Sequence, residues 1–299
     1  MPTNSETLDL VTTSSAVKGR SLWVDAGYRL IQNRAAMVSS VILTIIGLLV
    51  IFAPFLSPFE FDEIDWNLIS TPPSLENGHI FGTDAVGRDL FVRSLYGGRM
   101  SLMVGIVATI VSLVIGVSYG ATAGYLGGKI DALMMRIVDI LYAMPFMFFV
   151  ILLMVFFGRN IYLIFIAIGA INWLDMARIV RGQTLSLKSK EYIEAAQACG
   201  VTSFRIIVRH IIPNLLGIVV VYVTLTIPQV ILVESFLSFL GLGVQEPNTS
   251  WGALVNEGAQ DMENATWALL FPATLLATTL FCFNFIGDGL RDALDPKDR

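Results

Sequence analysis

Long uncharged apolar runs alternate with short polar stretches along this chain, and six of the runs are candidates to cross a membrane. A helix rises about 1.5 Å per residue, so about 20 apolar residues traverse the hydrocarbon core of a bilayer. Nothing from Ala35 to Phe59 is ionisable, and the runs Met100 to Gly128, Ile140 to Gly158, Asn160 to Leu174, Ile211 to Val233 and Asn264 to Gly287 follow it. The run 160–174 is the shortest at 15 residues and would also suit a buried or re-entrant helix. It is taken as a span because Arg159 and Asp175 can reach the two surfaces, and because without it the later loops fall on the wrong sides. The pattern predicts an all-α polytopic membrane protein with six transmembrane helices. Gly116, Gly120 and Gly124, spaced four apart, share one helix face where a neighbour can approach closely; packing is the preferred reading. Pro145 should kink the third run or mark a helix start.

The polar stretches carry the remaining organisation. Residues 1–17 are rich in Ser and Thr and lack the basic start of a cleavable signal peptide, so a tail is expected there. Residues 18–34 are amphipathic, with Leu22, Trp23, Ala26, Leu30 and Ile31 able to lie on the membrane surface. The stretch from Glu60 to Arg99 reads as an extramembrane loop, with Asp84 or Asp89 capping a helix that starts near its end. Lys129, Asp131 and Arg136 read as a short charged turn. Between the fourth and fifth runs, Glu191 to Asn214 predicts two short helices meeting at Gly200, which tolerates the left-handed exit of a tight turn. Thr202 or Ser203 is placed to cap the second, which runs to Pro213 with Phe204, Ile207, Val208 and Ile211 as its apolar stripe. This elbow admits three readings: a DNA-binding helix-turn-helix, an interfacial anchor, or a docking surface built on the small residues Ala195, Ala196 and Ala198. Flanking spans keep it from a duplex, which disfavours the first.

Charge sharpens the picture. Only 14% of residues are charged against 55% hydrophobic, well short of the roughly 25% charge of soluble domains. Six spans place both termini on one side. That side holds fifteen Lys and Arg residues and the other four, Arg88, Arg93, Arg99 and Arg159; the positive-inside rule makes the first side, and the elbow with it, cytoplasmic. Two cysteines and two histidines allow no disulfide framework and no multi-histidine metal site, and no phosphate-binding loop motif is present. Glu234 is the only acidic residue between His210 and Glu246. A carboxylate near the outer end of a span is either interfacial or turned toward a polar path, where it would meet a cationic peptide terminus.

Several of these strings resemble those of a known family. Glu194, Ala195, Ala196, then Gly200, then His210, Ile211, Ile212 and Pro213 are similar to the EAA loop of bacterial ABC-importer membrane subunits. Gly82, Thr83 and Asp84, Gly87, Arg88 and Asp89, then Gly98, Arg99, Ser101 and Leu102 resemble the leading segment of the family's peptide-permease branch. Residues Glu234 to Gly243 are similar to its ELSF-containing run. The resemblance implies a type I ABC importer transmembrane domain over 99–290 with a cytoplasmic EAA coupling helix. A tail and interfacial helix would occupy 1–34, an added first helix and periplasmic loop 35–98, and a cytoplasmic tail 291–299.

The implied function is that of a non-enzymatic permease subunit in the bacterial inner membrane, forming half of a path for oligopeptides; dipeptide and nickel permeases are the near alternatives. It implies a homologous second permease subunit, two cytoplasmic ATPase subunits that would carry ATP and Mg, a periplasmic peptide-binding protein, and membrane lipid. No catalytic residue, metal, cofactor or nucleic acid is expected on this chain itself. The ATPase-coupling residues would be Glu194, Ala195, Ala196, Gly200, His210 and Pro213, with Glu234 toward the path. A secondary transporter would want more ion-coordinating groups at mid-membrane, and an intramembrane enzyme would want paired carboxylates or a Cys/His pair within the spans.

Overall fold

The structure, a computed structural model, describes residues 22–157 and 161–294. The expected tail of 1–17, the start of the amphipathic segment at 18–21, Arg159 and residues 295–299 lie outside the described residues. Helices make up every named element among the described residues; the only extended pairing is an isolated bridge between Thr83 and Asp89.

Asn33 divides the first two helices, α1 (Leu22–Gln32) and α2 (Arg34–Ile51): its side-chain oxygen accepts the Ala36 N–H at 3.2 Å and caps α2. A short turn, α3 (Ala53–Leu56), leads into the loop 57–89. α4 (Leu90–Leu126) then runs 37 residues without a break. Asp89, one of the two expected caps, starts it, Oδ1 accepting the Val92 N–H at 2.8 Å, so the helix begins ten residues before the uncharged run. The expected charged turn is instead the opening of a helix, α5 (Gly128–Ala143), and α6 (Phe146–Phe157) begins directly after Pro145. α7 (Ile161–Lys188) carries the fourth run well beyond Leu174. Hydropathy reads its later arginines as a loop. In the fold they are paired across to α5: Arg181 donates to Asp131 at 2.5 and 2.6 Å, and Arg178 to Asp139 at 2.8 Å.

The elbow follows as α8 (Glu191–Ala198) and α9 (Ser203–Ile206). The second arm does not stop at Pro213. A π-helical turn, Ile207–Ile211, joins α9 to α10 (Ile212–Phe239), and Pro213 falls in the first turn of α10, where no N–H is needed from it. A surface helix α11 (Trp251–Gln260) and the last helix α12 (Thr266–Leu294) complete the chain. Four stretches among the described residues are long and apolar enough to cross a membrane: Arg34–Ile51, Leu90–Leu126, Ser203–Phe239 and Thr266–Leu294.

α4 and α7 form the most extensive helix pair. A Cβ on Gly116 would lie 2.6 Å from Met176 Cβ, one on Gly120 2.4 Å from the Ala177 carbonyl oxygen, and one on Gly124 2.8 Å from Thr184 Cβ. Missing side chains on this stripe therefore set how closely the two backbones sit. Packed on the pair is a cluster of Val117, Ala121, Tyr125, Met176 and Val180 that takes in Ile193, Ile206, Ile207 and Ile211 from the elbow.

Candidate functional site

The elbow has two faces, and the sequence sorts them. α8 turns Ile193 fully inward and Ala196 half inward, while Glu191, Glu194, Ala195 and Ala198 share the open side. Those four fall at i, i+3, i+4 and i+7, one helix face. Glu191 and Glu194 also sit in the first turn, where the helix dipole favours negative charge. Gln197 donates to the Tyr125 hydroxyl of α4 at 3.2 Å and holds the arm against the bundle. At the exit, Gly200 has φ +76°; its N–H reaches the Gln197 carbonyl at 2.9 Å and that of Val201 the Ala196 carbonyl at 3.1 Å. This is the paired capping pattern of a left-handed exit, and it needs glycine.

The second arm differs in detail from expectation. Thr202 stands at the cap position but its side chain makes no capping hydrogen bond. Of the expected stripe, Ile207 and Ile211 are buried together with Ile206, whereas Phe204 is 76% exposed and Val208 48% exposed. A π-turn adds one residue to the helical cycle, so the buried positions shift and Phe204 joins the open side. His210 is half-buried and Pro213 exposed. Glu194, Ala195, Gly200 and Pro213 are thus accessible, whereas Ala196 takes part in packing the elbow onto the bundle.

A second constellation lies near the other end of α10. Glu234 is wholly enclosed, with no accessible surface. One carboxylate oxygen accepts the Ser101 hydroxyl of α4 at 3.1 Å and the other that of Ser238 at 2.7 Å. Each of these serines accepts in turn. Trp251 N–H donates to Ser101 at 3.2 Å, and the Ser250 hydroxyl donates to Ser238 at 3.1 Å. Every hydrogen bond in this chain points toward the carboxylate, which ties α4, α10 and the start of α11 together. Trp251 completes the joint: its indole N–H donates to the Ser94 carbonyl at 2.9 Å, and its ring lies where a Cβ on Gly98 would fall 2.6 Å away. Neither an interfacial position nor a carboxylate turned into an open path describes Glu234 here. The serines around it are scattered over 150 residues, and nothing in their spacing announces them.

The loop before α4 is held by charges. Asp84 Oδ1 accepts the N–H groups of Val86 and Arg88 at 3.0 and 2.9 Å, and Asp89 meets His79 at 2.8 Å. Gly87, at φ +84°, leaves no room for a Cβ beside the Asp65 carbonyl. Arg88 bridges Asp84 at 2.7 Å and Glu246 at 2.8 Å, and buried Arg93 reaches Glu257 of α11 at 2.9 Å. The Arg88 hydrogen bond and charge hold the Glu246 carboxyl below the usual range. Burial pushes that of Glu257 above it, with Arg93 and Arg88 pulling the other way. Asp84, Arg88, Glu246 and Glu257 line a cavity of about 350 Å³. Arg93 and Glu257 carry no sequence signal as partners, being 164 residues apart. The described residues hold no cluster of His, Cys, Asp and Glu suited to a metal ion.

Comparison with known proteins completes the description. Residues 113–299 match the family described as "Binding-protein-dependent transport system inner membrane component", and residues 21–73 match "N-terminal TM domain of oligopeptide transport permease C". Over 296 residues the chain is 62% identical to the oligopeptide transport system permease protein OppC of Escherichia coli (strain K12), covering 99% of this chain and 98% of that protein. It is 46% identical over 282 residues to the oligopeptide transport system permease protein OppC of Bacillus subtilis (strain 168), covering 94% of this chain and 92% of that protein. Identity is also 46%, over 276 residues, to the dipeptide transport system permease protein DppC of the same organism, covering 92% of this chain and 86% of that protein.

Proposed function

The chain belongs to the binding-protein-dependent transport system inner membrane component family, and from that premise we propose that it forms half of the translocation path of an ATP-driven oligopeptide importer. It is a multi-pass inner membrane protein. The proposal gives it six crossings, the four long apolar helices plus the end of α5 taken with α6 and the first part of α7, with both termini and the elbow in the cytoplasm. A homologous membrane subunit supplies the other half of the path. Two cytoplasmic ATPase subunits bind ATP and Mg, and a periplasmic binding protein delivers the peptide.

The observation that carries this reading is the two-faced elbow. Ile193, Ile206, Ile207 and Ile211 bury its inner side in the bundle, while Glu194, Ala195, Ala198 and Phe204 are exposed. A small acidic helix face beside an exposed aromatic is suited to seat in a protein groove. From Ser203 to Phe239 the backbone is one helical stretch of 37 residues, about 55 Å long at 1.5 Å per residue. A push at the elbow therefore has one helical path to travel along, bent where the π-turn and Pro228 fall, and near its far end Glu234 fastens it to α4 and α11. This chain's part is to convert ATPase closure into opening toward one side of the membrane.

The test is purification from native membranes followed by reconstitution into vesicles. The expected result is co-elution with a homologous membrane subunit and ATPases, and peptide uptake that requires ATP and the binding protein. Uptake driven by an ion gradient without ATP would overturn the proposal. Equal identity to the Bacillus oligopeptide and dipeptide relatives supports a dipeptide as the second substrate reading; competition between dipeptides and longer peptides in the same vesicles decides between them.

A further inference from the structure

α5 and α7 run antiparallel and face each other with a ladder of charges. Asp131 holds Arg181, and one step further Asp139 holds Arg178 at 2.8 Å. Arg178 is also placed over the Tyr142 ring at 4.2 Å. One turn before Arg178 on α7 stands Asp175, which shares a cleft with Tyr142 of α5; Arg178 itself is committed to Asp139 and the Tyr142 ring. Asp175 is exposed and has no hydrogen bond or ion pair to any described residue. It opens on a cleft of about 330 Å³ whose other walls are Leu141, Met144, Phe149, Ile171 and Val233. Asn172 also lines this cleft; its amide nitrogen is committed to the Ile168 carbonyl at 2.9 Å, which leaves its oxygen as a second acceptor.

We propose that this cleft is a contact site on the peptide's way through the membrane, in which Asp175, Asn172 and the Tyr142 hydroxyl receive a peptide ammonium group while the apolar walls take the adjoining side chain. The inference rests on the peptide-importer reading and adds to it a position and a chemistry. Asp175 stands at the end of the apolar run of α7, and an exposed carboxylate there with no counter-charge is open to a cationic ligand. The groups around it suit one kind of ligand: an ammonium carries three donors and no acceptor, and the cleft presents acceptors. Its volume takes one or two side chains and no more. The unpaired step coincides with a space that a ligand could fill. Either the amino terminus or a lysine side chain would satisfy the site.

The experiment uses the purified complex and a water-soluble carbodiimide. The reagent activates a carboxylate, and an amine lying against it displaces the urea to form an amide bond. Three probes separate the sources: Leu-Ala-Phe with a free amino terminus, its Nα-acetyl form, and Nα-acetyl-Lys-Ala-Phe. Mass spectrometry should locate an adduct on Asp175 with the first or third probe and none with the second; which of the two reacts identifies the ammonium. Asp175→Asn should abolish that adduct and lower the apparent affinity for the reacting peptide in vesicle uptake by about tenfold, the worth of one charge-assisted contact. Asp175→Glu should restore most of the uptake, and Asp139→Asn should keep the adduct. No adduct on Asp175 in a complex that transports peptide would overturn this inference alone. Coupling of Asp175 to a lysine of the second membrane subunit would overturn it likewise, by making the residue a fixed interface partner. Absence of any ATP-dependent peptide uptake by the wild-type complex would overturn both this inference and the importer reading.

Discussion

Glu234 shows what a single residue does when its surroundings are assembled from distant parts of the chain. Its two oxygens take hydroxyls from Ser101 and Ser238, and a carboxylate, which only accepts, is the one side chain of that shape that satisfies both. Glu234→Gln brings an amide that must donate on one side, so one serine hydroxyl loses its acceptor and turns, which loosens its contact with Trp251 or Ser250. The expected cost is about 1–3 kcal/mol, read as a lower melting temperature and faster hydrogen exchange at the amides of 250–253. Unchanged exchange there would remove Glu234 as the fastener of α11. On the outer network the sign of the pH effect differs from residue to residue. The carboxyl of Glu246 is held low by Arg88, so its contribution is present above the ordinary carboxylate range and fades as pH falls through the lowered value. Burial raises that of Glu257, so its contribution is full below the ordinary range and fades as pH rises through the raised value. The gap in melting temperature between wild type and Glu246→Gln should therefore narrow on acidification, and the gap to Glu257→Gln should narrow on alkalinisation. Parallel slopes would contradict the assignment.

At the scale of elements, the elbow turns on the capped exit of α8. Gly200 meets nothing within 4 Å of a built Cβ, so a substitution there suffers no clash; only its φ of +76° matters. Forcing a β-branched residue into that region costs about 1–2 kcal/mol, small against a bundle but enough to re-aim the arm that carries Phe204. Gly200→Val and Glu194→Lys should leave the chain inserted and paired with its membrane partner, yet abolish the stimulation of ATP hydrolysis by loaded binding protein. Normal stimulation and transport in both variants would remove the elbow from coupling. Much of this element was legible in advance, because Gly200 and the alanine run obey local rules of helix ending and spacing. The outward turn of Phe204 and the inward turn of Ala196 were not, since a π-turn and the packing of Ile193 set them, and neither leaves a periodic trace. For the same reason the charge pattern ended the fourth run at Leu174 and read the start of α5 as a turn: a hydropathy scan sees Arg178 and Arg181 as polar, and only the fold reveals Asp139 and Asp131 opposite. The glycine stripe at 116, 120 and 124 depends on spacing alone, and the sequence suffices to put it on one face.

For the whole molecule the question is which way the bundle sits in the membrane, and the charge count and the network of the loop before α4 bear on it together. The six crossings proposed above would put fifteen basic residues on the elbow side and four on the other, and the positive-inside rule would then turn the elbow inward. Two of the four, Arg88 and Arg93, are locked into pairs with Asp84, Glu246 and Glu257, as Arg178 and Arg181 on the elbow side are with Asp139 and Asp131. Pairing touches both sides alike and leaves the imbalance standing, so the loops 57–89 and 240–250 should face the periplasm. Asn77 and Asn248 are exposed in those two loops and Ser189 is exposed just before the elbow, so each accepts a cysteine without disturbing a packed position. In a background lacking Cys199, which is exposed, and Cys282, which is buried, Asn77→Cys and Asn248→Cys should react in intact cells with a thiol reagent that cannot cross the inner membrane. Ser189→Cys should react only after the membrane is opened. Labelling of Ser189→Cys from outside, with Asn77→Cys and Asn248→Cys protected, would place the elbow in the periplasm, where no ATP-hydrolysing partner could reach it, and the coupling proposal would fall with the topology.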